Sequence, residues 1–198
     1  MSSGSSIEDV AAVLQAGRLA VVPTDTVYGL AASLGIPAAV QEIFTAKGRP
    51  EHKPLPVLGT SIEQLRRVAV FGDHAQRLAR RFWPGPLTLI LERAEGFDVD
   101  LGGDEARTVG VRVPKEPRTL QLLAMTGPLA VTSANLSGAK EASTVDEARS
   151  VFGSTVAAYL DGGRCVAVPS TVVYLAGERR ILREGPVAAA AIAQILSE

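Results

Sequence analysis

Residues 23–58 read PTDTVYGLAASLGIPAAVQEIFTAKGRPEHKPLPVL, and the changes of period along this stretch set the fold class. It leaves an apolar run, Leu19 to Val22, that predicts a buried strand, and passes three hydroxyls (Thr24, Thr26, Tyr28) and one carboxylate (Asp25). A second strand is predicted over Tyr28 to Ala32. Pro37 then starts a helix through Phe44, with Val40, Ile43 and Phe44 on one face, and Leu55 to Leu58 reads as a third strand. Lys47 and Arg49 are two apart, so in an extended or loop backbone both side chains leave on the same side. Gly48 lets the backbone approach a ligand, and Pro50 keeps Arg49 out of the helical region. Two fixed cations beside a hydroxyl-lined turn predict an anion site, for phosphate or carboxylate. The same residues also fit a solvated helix C-terminus, with cations at the negative end of the dipole.

Working outward, Ser6 with Asp9 predicts an N-cap for a helix closed by Gly17. Ser61 caps a short helix through Arg67, and Asp73 a longer one through Phe82. Trp83-Pro84-Gly85-Pro86 turns the chain into a strand, Leu87 to Glu92. The acidic, glycine-rich run Glu95 to Arg107 is expected to be a mobile loop. Val109 to Val113 is a strand, Glu116 to Met125 a helix, Leu129 to Thr132 a strand and Ser133 to Ser143 a polar loop. Thr144 or Ser143 caps a helix through Phe152. Strands follow at Val156 to Leu160, Ser170 to Leu175 and Arg180 to Arg183, the last two a hairpin, and Val187 to Leu196 is an Ala-rich helix. Strands and helices alternate without clean βαβ units, which predicts a mixed, twisted α/β sheet flanked by helices, with one core.

At 198 residues the chain is expected to be one domain, residues 1–198, burying about 70% of its unfolded surface. Met1 to Ser6 is expected to be a flexible leader rather than a signal peptide. Apolar residues at 46% and charged residues at 21% exclude a disordered chain. A net charge of −1 excludes a general polycation, so any nucleic-acid contact needs a local patch. Arg77, Arg80 and Arg81 share one helix face with Arg66 and Arg67 near it, which fits a phosphate-tracking stripe or a solvated face. Cys165 is the one cysteine, so no intrachain disulfide forms, and a reducing, cytoplasmic setting without a membrane span is expected.

Three further pieces can carry chemistry. Arg112 alternates with Val111 and Val113 on a strand, so it is either on a wet face or paired in a cavity. Ser133-Ala134-Asn135 follows a buried strand with donors suited to anions, or makes an ordinary polar turn. Ser170 at one strand's start and Arg183 at another's end complete the set. There is no P-loop, no Rossmann glycine turn and no G-x-S-x-G. His52, beside the basic loop, and His74, in a helix's first turn, make a hydrolase triad improbable.

In chain order, PTDTVYGL (23–30), AKGRP (46–50) with KPL (53–55), WPGPLTLIL (83–91), VGVRVP (109–114), SANLSG (133–138), PSTVV (169–173) and ILREGP (181–186) resemble the YrdC-type threonylcarbamoyl-AMP synthases. The resemblance implies a YrdC-like fold with a concave, positively charged face. It implies a nucleotidyltransferase that makes L-threonylcarbamoyladenylate from L-threonine, bicarbonate and ATP and releases pyrophosphate. That is the first step of N6-threonylcarbamoyladenosine modification at tRNA position 37, with weak tRNA contact and a downstream threonylcarbamoyl-transferase machinery as partners.

Carried over by motif, Thr26, Leu58, Arg112, Val131 and Ser170 are implied as threonine-site residues, with Arg112 on the carboxylate. Arg49, Lys53, Thr108, Ser133, Ser143 and Arg183 are implied as ATP contacts, and Lys47, Arg49, Ser133 and Asn135 as the catalytic set. Asp25 is placed to act behind them. No paired carboxylates occur in the motifs, so Mg²⁺ is expected mainly on ATP's phosphate oxygens and water, with no protein metal site. The competing reading is an RNA-binding module of the same fold without catalysis.

Overall fold

In the computed structural model, which describes residues 4–104 and 107–197, Ser6 opens the first helix. Its hydroxyl accepts the amide of Asp9 while the Asp9 carboxylate accepts the amide of Ser6, so the capping box forms. The helices are α1 (Ile7–Gln15), α2 (Pro37–Lys47), α3 (Ile62–Leu65), α4 (Asp73–Phe82), α5 (Pro117–Thr126), α6 (Val145–Phe152) and α7 (Ala189–Ser197). The strands are β1 (Ala20–Val22), β2 (Gly29–Ser33), β3 (Val57–Leu58), β4 (Leu87–Glu92), β5 (Thr108–Arg112), β6 (Leu129–Ser133), β7 (Ala158–Tyr159), β8 (Thr171–Tyr174) and β9 (Arg180–Arg183).

Among the described residues these strands form one nine-stranded sheet in the order β7-β1-β2-β6-β3-β5-β4-β8-β9. The pairs β1–β7, β3–β5 and β4–β8 are parallel and the others antiparallel, so the sheet is mixed as expected. β3 is shorter than predicted because Pro54 and Pro56 cannot donate to a ladder. No helix among the described residues is long and apolar enough to cross a membrane.

Period-2 alternation divides the side chains between two faces. Leu19, Val21, Leu30, Val57, Leu87, Leu89, Val109, Val111 and Val173 enter the larger core, with Val40, Ile43 and Phe44 of α2, Leu78 of α4 and Ile192 of α7. Ala20, Val22, Ala31, Leu58, Leu129 and Val131 face the other way, onto Val10 and Leu14 of α1 and Leu122 and Leu123 of α5. The expectation of one core is therefore corrected, because the sheet buries apolar side chains on both faces. On this second face α1 and α5 pack against one another over the β1–β2 side of the sheet. The half made by β5, β4, β8 and β9 carries the cavity instead.

Other expectations change. The helix predicted to stop at Phe44 runs on to Lys47, and Gly48 closes it in the left-handed conformation (φ 56°). Gly72, not Asp73, is the N-cap of α4, without a side-chain hydrogen bond. The leader is tied down where described: the Ser5 amide bonds the Tyr159 carbonyl at 2.9 Å. The loop after Glu95 is anchored by buried Leu101, whose carbonyl accepts the Leu55 amide at 2.8 Å. Met1 to Ser3 of the leader, and Glu105 and Ala106 of that loop, lie outside the described residues.

Candidate active site

The uncovered half of the sheet floors a cavity of about 500 Å³, within the range of small-ligand sites. Its floor follows from strand register. Leu87, Leu89 and Leu91 of β4 point into the core, so Thr88 and Ile90 point into the cavity. Thr88 pairs with Val172, which pairs with Arg183, and Arg112 lies one step beyond the Leu89–Val111 pair. A second row runs Gly110, Ile90, Tyr174, Arg180. At the β2 end, a Cβ on Gly29 would meet Val131 Cγ1 at 2.5 Å. The bare glycine therefore lets Val131 lie against the strand and line the cavity.

Arg112 is buried because Val111 and Val113 fill the core on the opposite side. Its guanidinium is fixed in three directions. Nε donates to the Gly85 carbonyl at 3.0 Å, Nη1 to Thr26 Oγ1 at 2.9 Å and Nη2 to Asp25 Oδ1 at 2.6 Å. Asp25 Oδ1 also accepts the Lys115 amide at 2.9 Å. Among the described residues this is the one side-chain ion pair. Burial pushes the Arg112 pKa down, and Asp25 opposes that shift. One N–H on each Nη is left for a ligand.

Thr24 Oγ1 donates to the Val27 carbonyl at 2.6 Å, so in the 2.9 Å Thr24–Thr26 contact Thr26 is the donor. Thr26 then accepts from Arg112 and presents its remaining lone pair to the cavity.

Across the floor, Arg183 donates through Nε to the Ser170 carbonyl at 2.9 Å and through Nη2 to Ser170 Oγ at 3.2 Å. Ser170 Oγ lies 2.8 Å from Thr88 Oγ1. Arg49 uses Nε and Nη2 to hold the carbonyls of Lys53 and Pro54, at 2.9 and 3.1 Å. Its Nη1 has no such tie, and burial pushes its pKa down.

Of the residues predicted from sequence, Thr26, Arg49, Leu58, Thr108, Arg112, Val131, Ser133, Ser170 and Arg183 line the cavity. Lys47, Lys53, Asn135 and Ser143 do not. Lys47 corrects the expectation of two cations on one side: as the last residue of α2 it points inward. Its Nζ donates to the carbonyls of Ser133 and Asn135, the latter at 2.5 Å. Burial, then Arg49, push its pKa down to about 8, while Glu141 opposes them. Asn135 donates its amide to the carbonyls of Leu136 and Ala139, shaping its own loop. Ser143 Oγ donates to Glu147 at 2.9 Å and accepts from Arg164 at 2.8 Å. Lys53 is exposed and contributes its carbonyl to Arg49.

His52 lines the cavity, as do Thr88, Ile90, Tyr174, Arg180 and Glu141, which sequence reasoning missed. The signal for Thr88 and Ile90 was the alternation within Leu87 to Leu91. Nothing in the sequence pointed to Glu141. No group of three or more His, Cys, Asp or Glu gathers to hold a metal ion among the described residues.

One end of the cavity thus offers a buried guanidinium, a hydroxyl acceptor and the apolar walls Leu58 and Val131, which suits a small amino acid. The same cavity is lined by Arg49, Arg180 and Arg183, whose cations suit phosphates. The profile of the Sua5/YciO/YrdC family, described as "Telomere recombination", matches residues 12–185. A Mycobacterium leprae protein provisionally named threonylcarbamoyl-AMP synthase is 44% identical over 195 residues, 96% of this chain and 87% of the relative. The threonylcarbamoyl-AMP synthase of Pyrococcus abyssi is 39% identical over 173 residues, 85% of this chain and 50% of the relative. The crystal structure of P. abyssi Sua5 complexed with L-threonine superimposes with a TM-score of 0.91 at 36% identity, covering 97% of this chain and 57% of that one. The chain therefore spans about half the length of these archaeal relatives. It belongs to the Sua5/YciO/YrdC family.

Proposed function

We propose that the chain joins L-threonine, bicarbonate and ATP into L-threonylcarbamoyladenylate and releases pyrophosphate. The observation that carries this is Arg112, a buried guanidinium held by Asp25, Thr26 and Gly85, facing a cavity that Arg49, Arg180 and Arg183 also line. Threonine's carboxylate would take the free Nη protons of Arg112, and its amine the lone pair of Thr26. The free amine bonds to the carbon of bicarbonate, water leaves, and an anionic carbamate forms. A carbamate oxygen then bonds to the α-phosphorus, and the bond to the β-phosphate oxygen breaks. Negative charge converges at each step, so fixed guanidiniums and donors at Arg49, Ser133 and Arg183 lower the barrier more than a general base would. Mg²⁺ would enter with ATP and neutralise part of its phosphate charge. The adenylate then passes to a cytoplasmic transferase that modifies tRNA.

Pyrophosphate release that requires both threonine and bicarbonate is the expected result in a coupled assay. Formation of ADP and orthophosphate from the same mixture would sink the proposal. Arg49→Ala should weaken ATP binding by about tenfold or more, the loss of one charge-assisted contact, and leave threonine binding nearly unchanged. Calorimetric titration of each ligand separates the two effects. An unchanged ATP affinity would mean that Arg49 serves only to shape its loop.

A further inference from the structure

Outside the cavity, the seam between α4 and α7 carries a second concentration of charge. Arg77, Arg80 and Arg81 stand at i, i+3 and i+4 on α4 and so project along one side of the helix. With Phe82 they line a groove of about 500 Å³ closed by Gln194 and Ile195 of α7. Among the described residues none of the three has a carboxylate within ion-pair distance. Arg77 Nη2 lies 2.8 Å from His74 Nδ1, and Arg77 Nε is buried without an acceptor. The other ring nitrogen of His74 meets Arg179 Nη1 at 2.7 Å. A neutral imidazole accepts at only one nitrogen, so this cluster has more donors than acceptors, and its nearby carboxylate, Asp73, acts on His74 without forming an ion pair with the three arginines.

One aromatic ring lies among these cations: Phe82 lines the groove, with the Arg81 guanidinium 5.4 Å over its face. A small phosphate would need donors converging on one point. These are strung along the helix beside the single ring of Phe82, the pattern of a surface that follows a phosphodiester backbone. We propose that the α4–α7 groove binds the phosphodiester backbone of RNA. The inference rests on the reading above in one respect, that the product is destined for tRNA. Leu78 of α4 packs in the core with Leu87 and Leu89, whereas Thr88 and Ile90 face the cavity. Groove and cavity therefore lie on opposite faces of the sheet, and RNA held on one leaves the other open.

The test is fluorescence anisotropy of a labelled, unmodified tRNA transcript between low and moderate salt, with pyrophosphate release measured on the same proteins. The parent should bind at low salt. R77Q/R80Q/R81Q should bind at least about tenfold more weakly, with a log K against log salt slope shallower by about two units. R77K/R80K/R81K, which keeps the charges, should retain most of the binding, and pyrophosphate release should be unchanged in both variants. The inference is overturned if the parent does not bind, if the glutamine variant binds like the parent, or if Arg183→Gln in the cavity abolishes binding instead. It is also overturned if tripolyphosphate competes as well as RNA at equal phosphate, which would mark a small-phosphate site. Absence of pyrophosphate release from the parent would remove the adenylate reading and leave the RNA measurement standing.

Discussion

Arg112→Lys is expected to weaken L-threonine binding by about ten- to a hundredfold and to leave ATP binding within about twofold, the cost of roughly 1.5–3 kcal/mol for a charge-assisted bond. A lysine ammonium cannot reach the Gly85 carbonyl, Thr26 Oγ1 and Asp25 together while keeping two parallel donors for a carboxylate. Asp25 acts through Arg112: its carboxylate sets the plane of the guanidinium and does not line the cavity. Asp25→Asn should therefore weaken threonine binding by about tenfold in the parent, since one charge-assisted bond is lost, and change little in an Arg112→Lys background. Calorimetry on the four proteins gives the coupling directly. Threonine bound equally well by Arg112→Lys would place the amino-acid pocket elsewhere. Additive effects of the two substitutions would make Asp25 a structural residue only.

Most strands were legible because they are apolar runs bounded by Pro, Gly or polar turns, whereas exposed β9, with an arginine at each end, was legible from its hairpin with β8. Their order was not, because β3 and β7 have two residues each and pair with strands distant in sequence. Arg112 was legible as a choice between surface and cavity, and the valines beside it decided for the cavity once they proved buried. Lys47 was misread for a local reason. Ala46 and Lys47 continue the helix as readily as they end it, and one further turn swings the side chain from the cavity to the carbonyls beneath β6. Glu141 and Tyr174 reach the cavity through the path of a loop and a hairpin, which short motifs do not encode.

Lys47→Met is expected to lower stability by about 2–5 kcal/mol, because it leaves two buried carbonyls, each worth roughly 1–3 kcal/mol, without a donor. The substitution keeps most of the side-chain volume, so the loss reports the hydrogen bonds at Ser133 and Asn135 and not a cavity. Those bonds hold the start of the loop that brings Ser133 to the cavity, and the Lys47 carbonyl accepts the Ser137 amide at 3.0 Å. ATP should therefore bind more weakly in the variant even where it is fully folded. The pH dependence has a definite sign. With the folded pKa near 8 against an ordinary 10.5, the unfolded chain holds more protons in that window, so this group adds stability as pH rises through it. Denaturant unfolding of both proteins at pH 7 and pH 9.5 should show the parent's advantage widening at the higher value. A variant as stable as the parent but without turnover would show that the ammonium reaches the substrate, and Lys47 would return to the catalytic set.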